Sequence, residues 1–139
     1  MKICMAGALG RMGRRILELA AAAGDIEIGG VFDLPEHVGK TLVIGTESGA
    51  AQTLTLAGSP AEALAKADVL IDFTLPHACL GNVRAAVAAG KPAVVGTTGL
   101  SEEQVAELRT LSGRVPIVHA PNMSVGVNLL FKLTSQVAG

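Results

Sequence analysis

Short apolar segments alternate with longer amphipathic segments along the whole chain, and this alternation predicts an α/β fold. Six strands are predicted, over residues 2–6, 26–32, 53–56, 69–73, 92–95 and 115–118. Five helices are predicted, over residues 14–23, 59–66, 76–89, 101–111 and 124–138. Because the strands are mostly apolar throughout, we expect a Rossmann-type, doubly wound and mostly parallel sheet with helices on both faces.

Two of the predicted helices carry a clear start signal. Ser59 and Ser101 each stand just before a helix, and Glu62 and Gln104 follow them three residues later. This is the spacing of a capping box, in which the two side chains satisfy each other's free backbone N–H groups. Residues 35–51 show no such pattern, so we expect them to form a loop with weak structure.

The composition fits one domain over residues 1–139 with an aliphatic core. Half of the residues are hydrophobic, yet there are three Phe and no Trp or Tyr. The net charge of −1, without a basic run, argues against nucleic acid as a partner. No apolar run is long enough to span a membrane. Cys4 and Cys79 have no disulfide or metal spacing, so we expect reduced thiols in a cytoplasmic protein.

A glycine-spaced turn follows the first strand and opens the first helix. Gly7, Gly10 and Gly13 form a G-x-x-G-x-x-G pattern, which has one residue more than the usual dinucleotide fingerprint G-x-G-x-x-G. Such a turn lets backbone N–H groups at a helix start meet a pyrophosphate. Asp33 ends the second strand, 20 residues after Gly13, where an acid can bind the adenosine ribose. A glycine turn without a ligand, with Asp33 as a cap, is the alternative.

Further loops are expected at the same edge of the sheet, because ligands of such folds bind beyond the carboxyl ends of the strands. They cover residues 73–76, 96–99 and 120–124. Their side chains are small, hydroxyl and amide groups. Such groups suit the binding of a cofactor and the orientation of a substrate better than acid–base chemistry.

Four motifs occur in order along the chain, at residues 7–13, 72–76, 96–99 and 120–128. Together they resemble the amino-terminal domain of the 4-hydroxy-tetrahydrodipicolinate reductase (dihydrodipicolinate reductase) family. The resemblance implies reduction of a cyclic imine dicarboxylate to tetrahydrodipicolinate by NADH or NADPH, in diaminopimelate and lysine biosynthesis. It also implies a cytoplasmic homotetramer.

The resemblance also assigns site residues. It implies a pyrophosphate contact for the glycine turn, a ribose contact for the acid, and nicotinamide contacts for the later loops. The cofactor-binding residues would be Gly7, Ala8, Leu9, Gly10, Arg11, Met12, Asp33, Phe73, Gly96, Thr97, Thr98, Ala120, Pro121, Asn122 and Met123. Thr98 would also contact the substrate.

The chain departs from the family pattern in its cofactor contacts. Many relatives carry Arg directly after the ribose-binding acid, where it can meet a 2′-phosphate. Here that residue is Leu34, with Lys40 and Arg11 as the next candidate cations. We therefore expect binding of both NADH and NADPH, with NADH favoured.

The family's catalytic segment, a His-His-x-x-Lys run, is not found in this sequence. His37, His77 and His119 do not replace it, and His77 with Cys79 gives too few ligands for a metal. We therefore expect the amino-terminal part of a two-domain enzyme, inactive without its substrate domain, with an apolar helix over residues 124–138 that is poorly supported. The alternatives are another nicotinamide-dependent amino-acid dehydrogenase and a stand-alone nucleotide-sensing module.

Overall fold

The computed structural model describes residues 1–45 and 51–138 and contains two sheets. The strands are β1 (Lys2–Ala6), β2 (Glu27–Phe32), β3 (Thr41–Gly45), β4 (Ala51–Thr55), β5 (Val69–Asp72), β6 (Ala93–Val95) and β7 (Ile117–His119). Five of them form a parallel sheet in the order β2-β1-β5-β6-β7, and β3 pairs with β4 in an antiparallel hairpin. From β1 the chain adds β2 on one side of the sheet and then β5, β6 and β7 on the other, so the strand order reverses between β1 and β5. Ligands of doubly wound folds bind at such a reversal point.

Helices lie between the parallel strands, and one more follows the last strand. They are α1 (Arg11–Ala22), α2 (Pro60–Leu64), α3 (Pro76–Ala88), α4 (Glu102–Leu111) and α5 (Val125–Ala138). Ser101 and Gln104 form the complete capping box that the sequence predicts. The Ser59 side chain accepts a hydrogen bond from the Glu62 N–H, but the Glu62 carboxylate accepts from the Gly58 N–H and not from the Ser59 N–H, so this second box is only half formed. These caps fix where α2 and α4 begin.

Two aliphatic cores cover the two faces of the parallel sheet, and β1 contributes to both. Cys4 and Ala6 point to a core shared with α2, α3 and α4, whereas Met5 points to a core shared with α1 and the β3–β4 hairpin. This alternation follows from the two-residue repeat of a strand. The doubly wound α/β fold expected from the sequence is confirmed.

The prediction is wrong for the segment before α2. The sequence predicts a loop over residues 35–51, but they include a short 3-10 helix (Pro35–His37) and β3. It predicts a strand of the main sheet over residues 53–56, but residues 51–55 pair with β3 instead, so the parallel sheet has five strands. Leu42 and Ile44 are the buried side of β3, and the exposed residue between them, Val43, is also apolar, so the alternation that marks a half-buried strand is absent. Residues 46–50 of the predicted loop lie outside the described part.

Helix α5 contributes no buried residue to the described structure. Apart from Val127, its large apolar side chains are half exposed or more, including Leu129 at 53% and Phe131 at 60%. This agrees with the expectation that the helix is poorly supported. Among the described residues, no helix combines the length and apolar character needed to cross a membrane.

Candidate functional site

The glycine turn between β1 and α1 is shaped by close backbone approaches. Gly7 has φ +77°, and a Cβ atom there would lie 2.8 Å from the carbonyl oxygen of Phe73. A Cβ on Gly13 would lie 2.1 Å from the carbonyl oxygen of Gly7. Both positions therefore require glycine, one for its backbone conformation and one for helix–strand packing.

Gly10 has a different role in the same turn. It is exposed, has an ordinary extended conformation, and forms the N-cap of α1 without a side-chain hydrogen bond. The first turn of α1 contains no acidic residue. The helix therefore begins with backbone N–H groups and the positive end of its dipole facing an open surface, which favours an anion.

Asp33 joins this turn to the end of β2. Its Oδ2 atom accepts a hydrogen bond from the Leu9 N–H, and its Oδ1 atom accepts one from the Leu34 N–H, both at 2.8 Å. Leu9, the residue that lengthens the glycine pattern, thus anchors the turn to the acid. Each carboxylate oxygen retains a lone pair that can accept from a ribose hydroxyl. His37 also lies close, with Nδ1 3.6 Å from Asp33 Oδ1, which the sequence did not indicate.

Two cavities meet over the carboxyl ends of β1 and β5. The first, about 420 Å³, lies beside Asp33 and has largely apolar walls that include Leu34, Pro35, Val38 and Leu75. The second, about 690 Å³, is lined by Arg11, Met12, Gly96, Thr97, Thr98, Pro121, Asn122, Met123 and Ser124. Gly10, Phe73 and Thr74 line both cavities. Together they form a groove that crosses the sheet at the reversal point.

Most of the residues assigned from the sequence come together in this groove. The first cavity includes Gly7 and Asp33, and the second includes the assigned residues of the β6 and β7 loops except Ala120. Ala8 and Leu9 line neither cavity; Ala8 is fully buried and Leu9 acts through its backbone. Their direct contact with a ligand stays a prediction.

The loop before α5 is held by its own polar groups. The side-chain oxygen of Asn122 accepts from the Ser124 N–H at 2.8 Å, and the Asn128 amide donates to the Asn122 carbonyl at 2.9 Å. The Asn122 side chain therefore has its two amide N–H groups and one lone pair of its oxygen left for a ligand.

Asp72, at the end of β5, belongs to one of the sequence motifs, but the sequence assigns it no role. It has no exposed surface, and its carboxylate accepts hydrogen bonds from Thr74, Asn82 and Thr97. Burial, followed by the charge of Asp72, raises the pKa of the neighbouring Cys79 to about 12, so Cys79 stays a thiol. A single aspartate after an apolar strand gives no sign in the sequence that several donors surround it.

The three histidines do not meet in the groove. His37 lies next to Asp33, His77 lines the first cavity at the start of α3, and His119 ends β7. None of them is among the residues that line the second cavity in the described structure. The groove therefore offers hydrogen-bond donors, apolar walls and one carboxylate, which suit binding and orientation.

Comparisons with known proteins show to which family the chain belongs. The family described as "Dihydrodipicolinate reductase, N-terminus" matches residues 1–123. The chain is 42% identical over 138 residues to 4-hydroxy-tetrahydrodipicolinate reductase of Syntrophobacter fumaroxidans, covering 99% of the chain and 52% of the relative. It is 43% identical over 140 residues to the same enzyme of Thiobacillus denitrificans, covering 99% and 51%. The chain thus spans about half the length of these relatives.

Solved structures show the same fold. The dipicolinate-bound dihydrodipicolinate reductase of Paenisporosarcina sp. TG-14 aligns with a TM-score of 0.78 at 22% identity, over 99% of this chain and 53% of that one. Aspartate semialdehyde dehydrogenase of Candida albicans, solved with NADP, aligns with a TM-score of 0.59 at 18% identity, over 85% and 41%. The structures support the fold, whereas the family match and the sequence identities decide membership: the chain belongs to the dihydrodipicolinate reductase family and corresponds to the amino-terminal part of its members.

Proposed function

We propose that the chain binds NADH or NADPH along the groove and presents it for reduction of a cyclic imine dicarboxylate, 4-hydroxy-tetrahydrodipicolinate. The observation that carries the proposal is the coupling of the glycine turn to Asp33 through the Leu9 N–H at 2.8 Å. It puts a phosphate-binding helix start and a ribose-binding acid at fixed positions relative to each other. A cytoplasmic homotetramer is part of the same proposal, because the family resemblance implies it.

The groove suits the parts of the cofactor in order. The apolar walls of the first cavity suit a purine, and Asp33 at its edge suits the attached ribose. Gly10 borders both cavities at the start of α1 and has no side chain, which suits the approach of the pyrophosphate to the helix N–H groups. The amide and hydroxyl groups of the second cavity suit the nicotinamide.

The residues of the chain act by positioning. The bound cofactor supplies the hydride, and the protein fixes its distance and angle to the acceptor carbon. Phe73 packs on the bare backbone of Gly96, where a Cβ would come within 2.2 Å of the ring, so these residues form a fixed wall between the cavities. Thr98 is exposed at the second cavity, where its hydroxyl can hold a substrate carboxylate.

Proton donation to the substrate is assigned to none of the three histidines. None of them is among the described residues that line the second cavity, and a general acid must reach its acceptor within hydrogen-bond distance or through one water. We therefore propose that this chain binds the cofactor but does not turn over the cyclic imine by itself.

The cofactor preference is proposed to favour NADH. The Asp33 carboxylate accepts hydrogen bonds from ribose hydroxyls but repels a 2′-phosphate. The next residue, Leu34, supplies no positive charge. Arg11 lines the second cavity rather than the first, so it is poorly placed to compensate.

Replacement of Gly10 by valine tests the proposed binding site. The backbone of Gly10 (φ −67°, ψ 161°) is one that valine adopts readily. The added Cβ would lie 3.2 Å from the Gly7 carbonyl oxygen, a tight contact that a small local shift relieves, so the fold should survive. The new side chain would cover the α1 N–H groups, and we expect NADH affinity to fall at least about tenfold, the loss of one charge-assisted contact. NADH fluorescence is a clean readout, because the chain has no Trp or Tyr.

Gly24→Val is the matched control. Gly24 lies after α1, and a Cβ added there would have no atom within 4 Å, so this substitution should leave NADH binding unchanged. Equal NADH affinity in Gly10→Val, Gly24→Val and the wild type would show that the cofactor does not sit on the glycine turn.

A further inference from the structure

Asp72 is a buried charge surrounded by donors from three elements. Its Oδ1 atom accepts from the Thr74 N–H at 3.1 Å, the Thr74 hydroxyl at 2.8 Å and the Thr97 hydroxyl at 2.7 Å. Its Oδ2 atom accepts from the Asn82 amide at 2.8 Å. These donors come from the loop after β5, from α3 and from the loop after β6. One carboxylate therefore ties together segments that are up to 25 residues apart in the chain.

The two loops that Asp72 joins both line the second cavity. Phe73 and Thr74 belong to the loop after β5, and Gly96 and Thr97 belong to the loop after β6. The Gly96 N–H also donates to the Asp72 carbonyl at 2.9 Å, which continues the strand pairing. Beyond that bond the pairing stops, so the hydroxyl of Thr97 is the next connection that keeps the loops together.

The Thr97 side chain is directed inward, away from the groove. Thr97 is 2% exposed, and its hydroxyl lies 2.7 Å from Asp72 Oδ1 and 3.3 Å from the Thr74 carbonyl. A hydroxyl engaged in this way is not free to bind a ligand. Thr97 lines the second cavity, while its hydroxyl is engaged by Asp72 and Thr74 and so serves the position of the loop.

We propose that Asp72 and Thr97 are positioning residues, which lock the loops after β5 and β6 into the shape that receives the nicotinamide. The inference rests on the proposed binding of NADH in this groove. A fully buried carboxylate is a poor means of increasing stability, because an apolar residue avoids the cost of removing the charge from water. Its donors here lie at the cavity, where fixed geometry matters for hydride transfer.

Thr97→Val tests the role of the hydroxyl without changing the shape of the side chain. Binding of NADH and of ADP-ribose, which lacks the nicotinamide ring, is measured by calorimetry in the wild type and the variant. A hydrogen bond to a charged acceptor changes an equilibrium constant by roughly 10- to 100-fold. We expect the affinity for NADH to fall within that range, by at least about tenfold. The affinity for ADP-ribose should stay within about twofold of the wild type, because the first cavity does not include Thr97.

Two variants act as controls. Thr97→Ser keeps the hydroxyl and should restore the wild-type preference for NADH over ADP-ribose. Thr110→Val removes a hydroxyl that bonds the Ala106 carbonyl within α4, and it should change neither affinity. If Thr97→Val does not fold, Thr97→Cys replaces it, because a thiol is a weak donor of similar size and should give the same loss for NADH.

The outcomes separate this inference from the proposed function. Equal losses for NADH and ADP-ribose, or no loss for either, would overturn the positioning role while leaving cofactor binding intact. A wild type that binds ADP-ribose and NADH equally, or binds neither, would overturn the proposed nicotinamide site and this inference with it.

Discussion

Gly13→Ala should destabilise the fold, although alanine is the better helix former. The added Cβ would lie 2.1 Å from the Gly7 carbonyl oxygen and 3.0 Å from Ala8 Cα, all backbone atoms that cannot rotate away. Helix α1 would have to move by roughly 1 Å from the end of β1, where packing is dense. Forced overpacking of this kind costs about 3 kcal/mol, and the higher helix propensity of alanine returns up to about 1 kcal/mol.

The expected net loss is therefore about 2 kcal/mol, which corresponds to a melting temperature lower by about 8 °C for a domain of this size. The assay is thermal unfolding followed by far-UV circular dichroism. Gly24→Ala is the matched control: its Cβ would meet no atom within 4 Å, so it should melt at or slightly above the wild-type temperature. A difference of about 2 °C or less between Gly13→Ala and Gly24→Ala would be far below the expected loss of stability. It would refute the close approach of α1 to β1.

Two further predictions concern the cofactor and the thiols. NADH should bind up to about tenfold more tightly than NADPH, because Asp33 repels the 2′-phosphate. Leu34→Arg should reverse this order in parallel titrations. A wild-type preference for NADPH would contradict the assignment of Asp33 to the ribose. Cys4 and Cys79 should resist iodoacetamide at pH 8 in the folded protein and react when it is unfolded, because burial raises the pKa of both thiols to about 12. Folding favours the neutral thiol, so the pKa of each thiol is higher in the folded protein than in the unfolded one. Rapid labelling of the native chain at pH 8 would contradict this and show that these side chains are accessible.

Much of the fold could be predicted from the sequence, because the strands of the parallel sheet are apolar on both faces. β1 and β5 each place side chains in one core and in, or packed against, the other core. Their sequences are therefore continuous apolar runs, which are easily recognised. β3 could not be recognised in this way. It packs only Leu42 and Ile44 against the core, and its partner strand has one side open to solvent, so the pattern is short and diluted.

The position of the candidate groove could be predicted where residue spacing alone decides it. Gly7, Gly13 and Asp33 stand at fixed spacings, and the carboxyl ends of parallel strands necessarily meet at one edge. The contacts of Asp72 were not predictable, because its donors come from residues 2, 10 and 25 positions away. Which of several polar residues meet inside a fold depends on the packing of helices and loops, and sequence spacing carries little information on that.

The structure of this chain with NADH bound, determined from crystals grown at saturating cofactor, tests the central claim most directly. We expect the pyrophosphate within hydrogen-bond distance of the N–H groups of residues 10–12. We expect a ribose hydroxyl hydrogen-bonded to Asp33 and the nicotinamide ring beside residues 96–98. NADH bound elsewhere on the chain, or no bound cofactor at saturation, would contradict it.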